Sequence, residues 1–270
     1  MPVLDAHPAI AADTPLLRVR GVSVCFGGIR ALDDVSFDVM RGSITGLIGP
    51  NGAGKTTLFN CLSRLYRCST GEIDFDGQAL LRVPVHGIAA LGIGRTFQNL
   101  ALFARMSVRD NLLLGGHSRT RSGWLANALR LPLVRREEEA LQAQVDQTLR
   151  LLELQRVAAQ PVSWLPFGTA KRVELGRALV SRPRLLLLDE PAGGLNHEEV
   201  EALLQLLRRL RSELRLTLLL VEHHMGLVMR VSDQVVALDF GRKIADGTPA
   251  EVQRHPDVIR AYLGTAAQAA

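Results

Sequence analysis

One stretch of nine residues, GPNGAGKTT, concentrates groups that can handle a phosphate: Gly49, Pro50, Asn51, Gly52, Ala53, Gly54, Lys55, Thr56 and Thr57. It fits the pattern G-x-x-x-x-G-K-[ST], behind an apolar strand and ahead of a helical pattern. The glycines let successive backbone N–H groups curl into a concave anion nest, and a helix N-terminus directly behind adds its positive dipole end. Lys55 can reach the β- and γ-phosphates of a nucleotide, and the Thr56 hydroxyl can coordinate Mg²⁺. A plain strand-to-helix turn would explain the glycines on steric grounds but has no need of the Lys-Thr pair.

The second stretch is LLLLDEP, Leu185 to Pro191. A carboxylate at the end of a buried strand is costly unless it is paired, hydrogen-bonded or near a metal. Asp189 is therefore suited to hold Mg²⁺, through water or together with Thr56, and Glu190 to polarise an attacking water. The bland alternative is a carboxylate pair that marks the exit of the strand to solvent. His223 and His224 also stand side by side. Adjacent strand residues point to opposite faces, so the two rings cannot easily share one metal ion.

The elements that must position these groups are legible as two kinds of strand. Val35, Phe37 and Val39 alternate with Ser36 and Asp38, and Ile73 and Phe75 with Asp74 and Asp76, the period of a half-buried strand. Asp76-Gly77 predicts a hairpin turn after the second, so these pieces form a small antiparallel β lobe. Ile44 to Ile48, Leu185 to Leu188, Leu216 to Val221 and Val235 to Leu238 are continuous apolar runs, as parallel strands buried on both faces require. Helical patterns over 56 to 65 and 197 to 211 alternate with them. The fold class is α/β with a mainly parallel sheet. From about 99 to 182 the pattern turns helical, with Leu141, Val145, Leu149 and Leu152 on one face and Glu137 to Glu139 placed for a helix N-terminus. We read residues 1 to 15 as a loose leader, 16 to 264 as one domain carrying the helical subdomain, and 265 to 270 as a tail.

The formal net charge is +5, which invites a nucleic-acid reading. Lysine occurs only at Lys55, Lys171 and Lys243, and the arginines are scattered rather than blocked. Such a ratio points to a GC-rich genome, and no nucleic-acid partner is expected. Cys25, Cys61 and Cys68 show no metal-ligand spacing and read as reduced thiols. No apolar run is long enough for a helical membrane span, so action at a membrane would pass through partners.

The two motifs and the segments around them resemble the ABC ATPase subunits, a P-loop NTPase family with a RecA-like core, from about Leu16 to Gly264. That resemblance implies further roles. Phe26 would stack on adenine, and Gln98 in RTFQN would contact Mg²⁺ and the attacking water. GGLN (Gly193 to Asn196) would lie at a dimer seam, and His223 in VEHHM would contact the γ-phosphate. The family works as a head-to-tail dimer in which a signature segment of one subunit covers the ATP of the other. Here that segment is LPFGT, Leu165 to Thr169, expected ahead of a helix that begins near Lys171. It departs from the usual LSGGQ, with Pro166, Phe167 and Thr169 at changed positions, and leaves Gly168 and backbone N–H groups to act in trans. Slow ATP hydrolysis is the expectation.

FGGIRALDDVSF, the insert around SGWLANALRLPLVRREEEA and the closing ADGTPAEVQRHPDVIRAYLG are similar in particular to the branched-chain amino-acid importer subfamily. The resemblance implies ATP and Mg²⁺ as cofactors and membrane-spanning permease subunits as partners. It also implies a second ATPase subunit, identical or different, and an indirectly linked solute-binding protein. The location would be the cytoplasmic face of a bacterial inner membrane. Import of urea or short amides, lipid or lipopolysaccharide export, and ATPase work without transport remain as alternatives. Leu100, Leu102, Phe103 and Met106 read equally as permease contacts or as subdomain core. The arginine-rich stretch 119 to 136 around Trp124 reads as a membrane-facing surface or as an insert packed on its subdomain, with Pro132 expected to interrupt any helix there.

Overall fold

The computed structural model describes residues 14–97, 100–117 and 132–268. The sequence-predicted β lobe is a four-stranded antiparallel sheet in the order β2-β1-β4-β5. Its strands are β1 (Pro15–Phe26), β2 (Ile29–Met40), β4 (Thr70–Phe75) and β5 (Gln78–Ala79). Along β2 the side chains of Val35, Phe37 and Val39 are buried while Ser36 and Asp38 are not, as their alternation predicts. Phe75 pairs with Gln78 across a two-residue turn. Asp76 (φ 53°) and Gly77 (φ 78°) both take the left-handed conformation that such a turn needs.

The main sheet has six strands in the order β10-β9-β3-β8-β7-β6. They are β3 (Ile44–Ile48), β6 (Ile93–Arg95), β7 (Leu185–Asp189), β8 (Thr217–Val221), β9 (Gln234–Asp239) and β10 (Arg242–Gly247). All neighbours run parallel except β10, which returns antiparallel along β9. Every residue of β3, β7 and β8 is buried. Successive residues serve opposite faces: Leu186, Leu188, Leu218 and Leu220 join one core, and Leu185, Leu187, Leu219 and Val221 the other. The second core also holds α1 (Lys55–Leu62) and the inner face of the β lobe. Strand β6, only three residues long, carries too short a pattern to be read from sequence.

The helical part comprises α3 (Val108–Gly115), α4 (Pro132–Leu151) and α5 (Phe167–Val180), after the short α2 (Ile88–Leu91). Val145, Leu149 and Leu152 are buried and Leu141 packs beside them. Two helix starts differ from the sequence expectation. Helix α4 already runs from Pro132, and the residues ahead of it, where a helix interrupted by Pro132 would lie, are outside the described residues. The acidic run 137–139 accordingly falls in the second turn. Helix α5 begins at Phe167, not near Lys171, because the extended Pro166 (ψ 150°) serves as its N-cap. The chain closes with α6 (His197–Leu214), α7 (Met225–Val231), α8 (Pro249–Gln253) and α9 (Pro256–Gln268). Helix α9 runs past Gly264 into the expected tail, where Ala and Gln are good helix formers. Leu100 and Leu102 pack against the helical core, whereas Phe103 is exposed. Most of the stretch 119 to 136, with Trp124, lies outside the described residues.

Candidate active site

The loop that follows β3 turns at Gly49 (φ 151°), Gly52 (φ 81°) and Gly54 (φ 99°) and feeds into α1. Gly54 is the N-cap, and a Cβ there would sit 2.7 Å from the Ala31 carbonyl oxygen, so both its conformation and its space demand glycine. Lys55 is buried, and its Nζ donates to the carbonyls of Gly49 at 2.7 Å and Pro50 at 2.8 Å. Burial lowers the pKa of the ammonium, while the carboxylates of Glu190 and Asp189 raise it. That opposition brings the lysine and the acidic pair, far apart in sequence, into one electrostatic field. The rest of the loop is tied from the other end of the chain. Gly241 N–H donates to the Ala53 carbonyl at 3.1 Å, and Gly49 N–H donates to the Tyr262 hydroxyl at 2.9 Å.

The acidic pair leaves the C-terminal end of β7, where parallel sheets place their ligand sites. The two carboxylates meet different surroundings. Asp189 is buried and pairs with Arg95, whose Nη2 lies 2.9 Å from Oδ2. Arg95 Nη1 also donates to Asn60 Oδ1 at 2.8 Å and Ser63 Oγ at 2.9 Å, and the guanidinium lies over the rings of Phe59 and Phe97. Glu190 sits just past the strand with φ 48°, a conformation rare outside glycine and Asn/Asp. Its backbone is held on both sides: N–H to the Val221 carbonyl at 2.9 Å, and carbonyl to Lys171 Nζ at 2.9 Å. Its Oε1 is 2.6 Å from His223 Nε2. A carboxylate hydrogen-bonded to an imidazole and in the field of a buried lysine can orient and deprotonate a water.

The neighbouring histidines lie past the end of β8 rather than on a strand, His224 as the N-cap of α7, and their rings still part. His223 meets Glu190, whereas His224 lies 3.6 Å from Glu222 Oε2. Glu222 is itself buried and accepts from Ala192 N–H at 2.6 Å, tying the end of β8 to the loop after Glu190. Among the described residues no cluster of His, Cys, Asp and Glu could hold a metal by itself. The oxygen donors Thr56 and Asp189 nonetheless fit Mg²⁺, which takes one or two protein oxygens and fills its shell with phosphate and water. Phe26 ends β1 half exposed, edge-on to Tyr66 with ring centroids 5.2 Å apart. Gly168 lies in the first turn of α5 against Glu199. Gln98 lies outside the described residues.

Sequence reasoning missed Arg95, Lys171, Glu222, Tyr66 and Tyr262. Each acts on a partner far away in sequence: Arg95 on Asp189, Lys171 on Glu190, Glu222 on Ala192, Tyr66 on Phe26 and Tyr262 on Gly49. Arg95 does stand in the quoted RTFQN, Glu222 in VEHHM and Tyr262 in the closing ADGTPAEVQRHPDVIRAYLG, which are the signals available.

Residues 32–193 match the family model described as ABC transporter. The chain belongs to the ABC transporter ATP-binding family. Residues 242–268 of this ABC ATPase match a second model, described as branched-chain amino acid ATP-binding cassette transporter. It is 42% identical over 252 residues to the high-affinity branched-chain amino acid transport ATP-binding protein BraF of Pseudomonas aeruginosa, covering 93% of this chain and 99% of the relative. LivG of Escherichia coli strain K12, described in the same words, is 41% identical over the same length. The crystal structure of the ADP conformation of MJ1267, an ATP-binding cassette of an ABC transporter, superposes with a TM-score of 0.81. That pair is 29% identical, covering 93% of this chain and 99% of the other. Like those cassettes, this ABC ATPase is a subunit that energises transport. Among its described residues no helix is long and apolar enough to cross a membrane.

Proposed function

We propose that this ABC ATPase hydrolyses ATP at a dimer seam to drive import of branched-chain amino acids or closely related small solutes. The observation that carries the reading is the 2.6 Å contact between Glu190 and His223, set beside the buried Lys55. Gly49 to Thr57 cradle the phosphates, Lys55 neutralises the β- and γ-oxygens, and the Phe26 ring, backed by Tyr66, takes the adenine. Glu190 accepts a proton from the attacking water, and His223 fixes its carboxylate and contacts the γ-phosphate. Thr56, Asp189 and Gln98 would hold Mg²⁺, which offsets charge on the phosphates when bound.

The dimeric half of the proposal rests on α5. Pro166 offers no side-chain cap, so the first-turn N–H groups around Gly168 are left to meet the γ-phosphate of a second ATPase subunit. The departed LPFGT signature therefore keeps the backbone part of the contact and loses only a serine hydroxyl. Permease subunits would dock on the helical subdomain and receive solute from a binding protein, with this chain at the inner face of a bacterial membrane. Affinity capture from host membranes tests the assembly. Two multi-span subunits and a second ATPase are expected, and proteoliposomes rebuilt from them should take up labelled leucine with ATP inside. Uptake of urea but not leucine would overturn the substrate class. Capture of ribosomal or DNA-bound proteins without a permease would overturn transport.

A further inference from the structure

The first glycine of the phosphate loop is gripped at both polar atoms. Its N–H donates to the Tyr262 hydroxyl at 2.9 Å, and its carbonyl accepts from Lys55 Nζ at 2.7 Å. Gly49 is buried, and a Cβ on it would collide with the Leu238 carbonyl, so no side chain fits there. The two grips differ in permanence. Lys55 must exchange the Gly49 carbonyl for phosphate oxygens when a nucleotide enters. Tyr262 has no such competitor. It belongs to α9, packs partly buried against the main core, and burial raises the pKa of its hydroxyl, keeping it a neutral phenol at physiological pH.

We infer that Tyr262 is a positioning residue for nucleotide binding, through which the C-terminal helix holds the phosphate loop in shape while Lys55 turns to the phosphates. The inference rests on the reading of Gly49 to Thr57 as the phosphate cradle. The reason is local and physical. Without the hydroxyl, the buried Gly49 N–H has no partner in either state; Lys55 still holds the Gly49 carbonyl before nucleotide enters, but once it turns to the phosphates neither grip remains and the loop is free to move. The unpaired N–H costs stability in both states, whereas the loss of loop shape falls on the nucleotide-bound state. It therefore shows in affinity rather than in the rate of a bound complex.

The test uses the full chain. Tyr262→Phe keeps the ring and removes only the oxygen. Its KM for ATP and its Kd for a fluorescent ATP analogue should rise by up to roughly tenfold, the ceiling that one lost buried hydrogen bond sets, with kcat changed less than about twofold. Ile259→Ala trims an exposed side chain of the same helix and should leave both constants unchanged. Unchanged affinity in Tyr262→Phe overturns the inference, and so does an equal loss in Ile259→Ala, which would reduce the tyrosine to one part of helix docking. Lys55→Ala is measured alongside. If it binds nucleotide as well as the wild type, the cradle reading has failed and this inference with it. If it loses binding while Tyr262→Phe does not, only the inference has failed.

Discussion

Replacing Arg95 by Met should destabilise the whole domain. Its guanidinium and the Asp189 carboxylate are 9% and 6% exposed, with 2.9 Å between Nη2 and Oδ2. With charge centres about 4 Å apart and an effective dielectric near 20, their attraction is ~4 kcal/mol. The hydrogen bonds to Asn60 and Ser63 add to the loss. Against this, Arg95 Nε is buried without a hydrogen-bond partner among the described residues, so the guanidinium is incompletely satisfied as it stands. Removing one partner of a buried pair costs about 3–5 kcal/mol, because the other charge stays buried and uncompensated. We therefore expect a loss of about 3 kcal/mol for Arg95→Met, a large share of the roughly 5–15 kcal/mol that holds a domain together. Urea unfolding followed by circular dichroism measures it. The double variant Arg95→Met/Asp189→Asn, which no longer leaves a lone charge, should recover about 2 kcal/mol of that loss. A single-variant loss under about 1 kcal/mol, or strict additivity in the double variant, would refute the argument that the pair is electrostatically coupled.

Three further outcomes follow from particular contacts. His223→Ala, which removes the 2.6 Å partner of Glu190, should lower kcat by roughly a hundredfold or more with ATP affinity nearly intact. Single-turnover kinetics measures this, and a fully active variant would make the contact merely structural. Glu174 is buried, and although it accepts from Phe97 N–H at 3.0 Å, burial raises its pKa. The folded state therefore binds its proton more tightly than the unfolded state. Stability falls as pH rises from the ordinary carboxylate range through the raised value. Glu174→Gln should flatten that slope in urea titrations taken at a series of pH values, and an unchanged slope counts against the assignment. Asn196 caps α6 by accepting from Glu199 N–H at 2.9 Å, and Glu199 reciprocates at 2.9 Å. Asn196→Ala should cost about 1 kcal/mol, lowering Tm by about 2–4 °C in a thermal melt.

Local chemistry made much of this protein readable without a structure. The phosphate loop announces itself because a nest, a lysine and a hydroxyl must lie within a few residues of one another to work. Asp76-Gly77 and the alternation in β2 are equally local, since a two-residue turn and a pleat impose their demands on neighbours in sequence. The continuous apolar runs of β3, β7 and β8 could be assigned to a sheet covered on both faces for the same reason. Even the carboxylates Asp189 and Glu190 are marked by the cost of ending a buried strand in charge.

Helix starts were less legible, because a proline can either break a helix or begin one. Pro166 took the second course, as the N-cap ahead of a first turn whose N–H groups have no intrahelical partners. What the tertiary structure alone decided is how the separate pieces are held against one another. Arg95 reaches Asp189 and Lys171 reaches the Glu190 carbonyl. Tyr262 reaches Gly49 from 213 residues away. A hydrogen bond across such a distance leaves no periodicity and no spacing in the chain. It arises from packing, when β3, β7 and β8 are laid side by side and the closing helix folds back over them. The sequence by itself determined which groups could do the chemistry, because reactivity belongs to side-chain type and near neighbours. The tertiary structure decided which charges are compensated and which loops are fixed, because burial and long-range pairing exist only once the chain is folded.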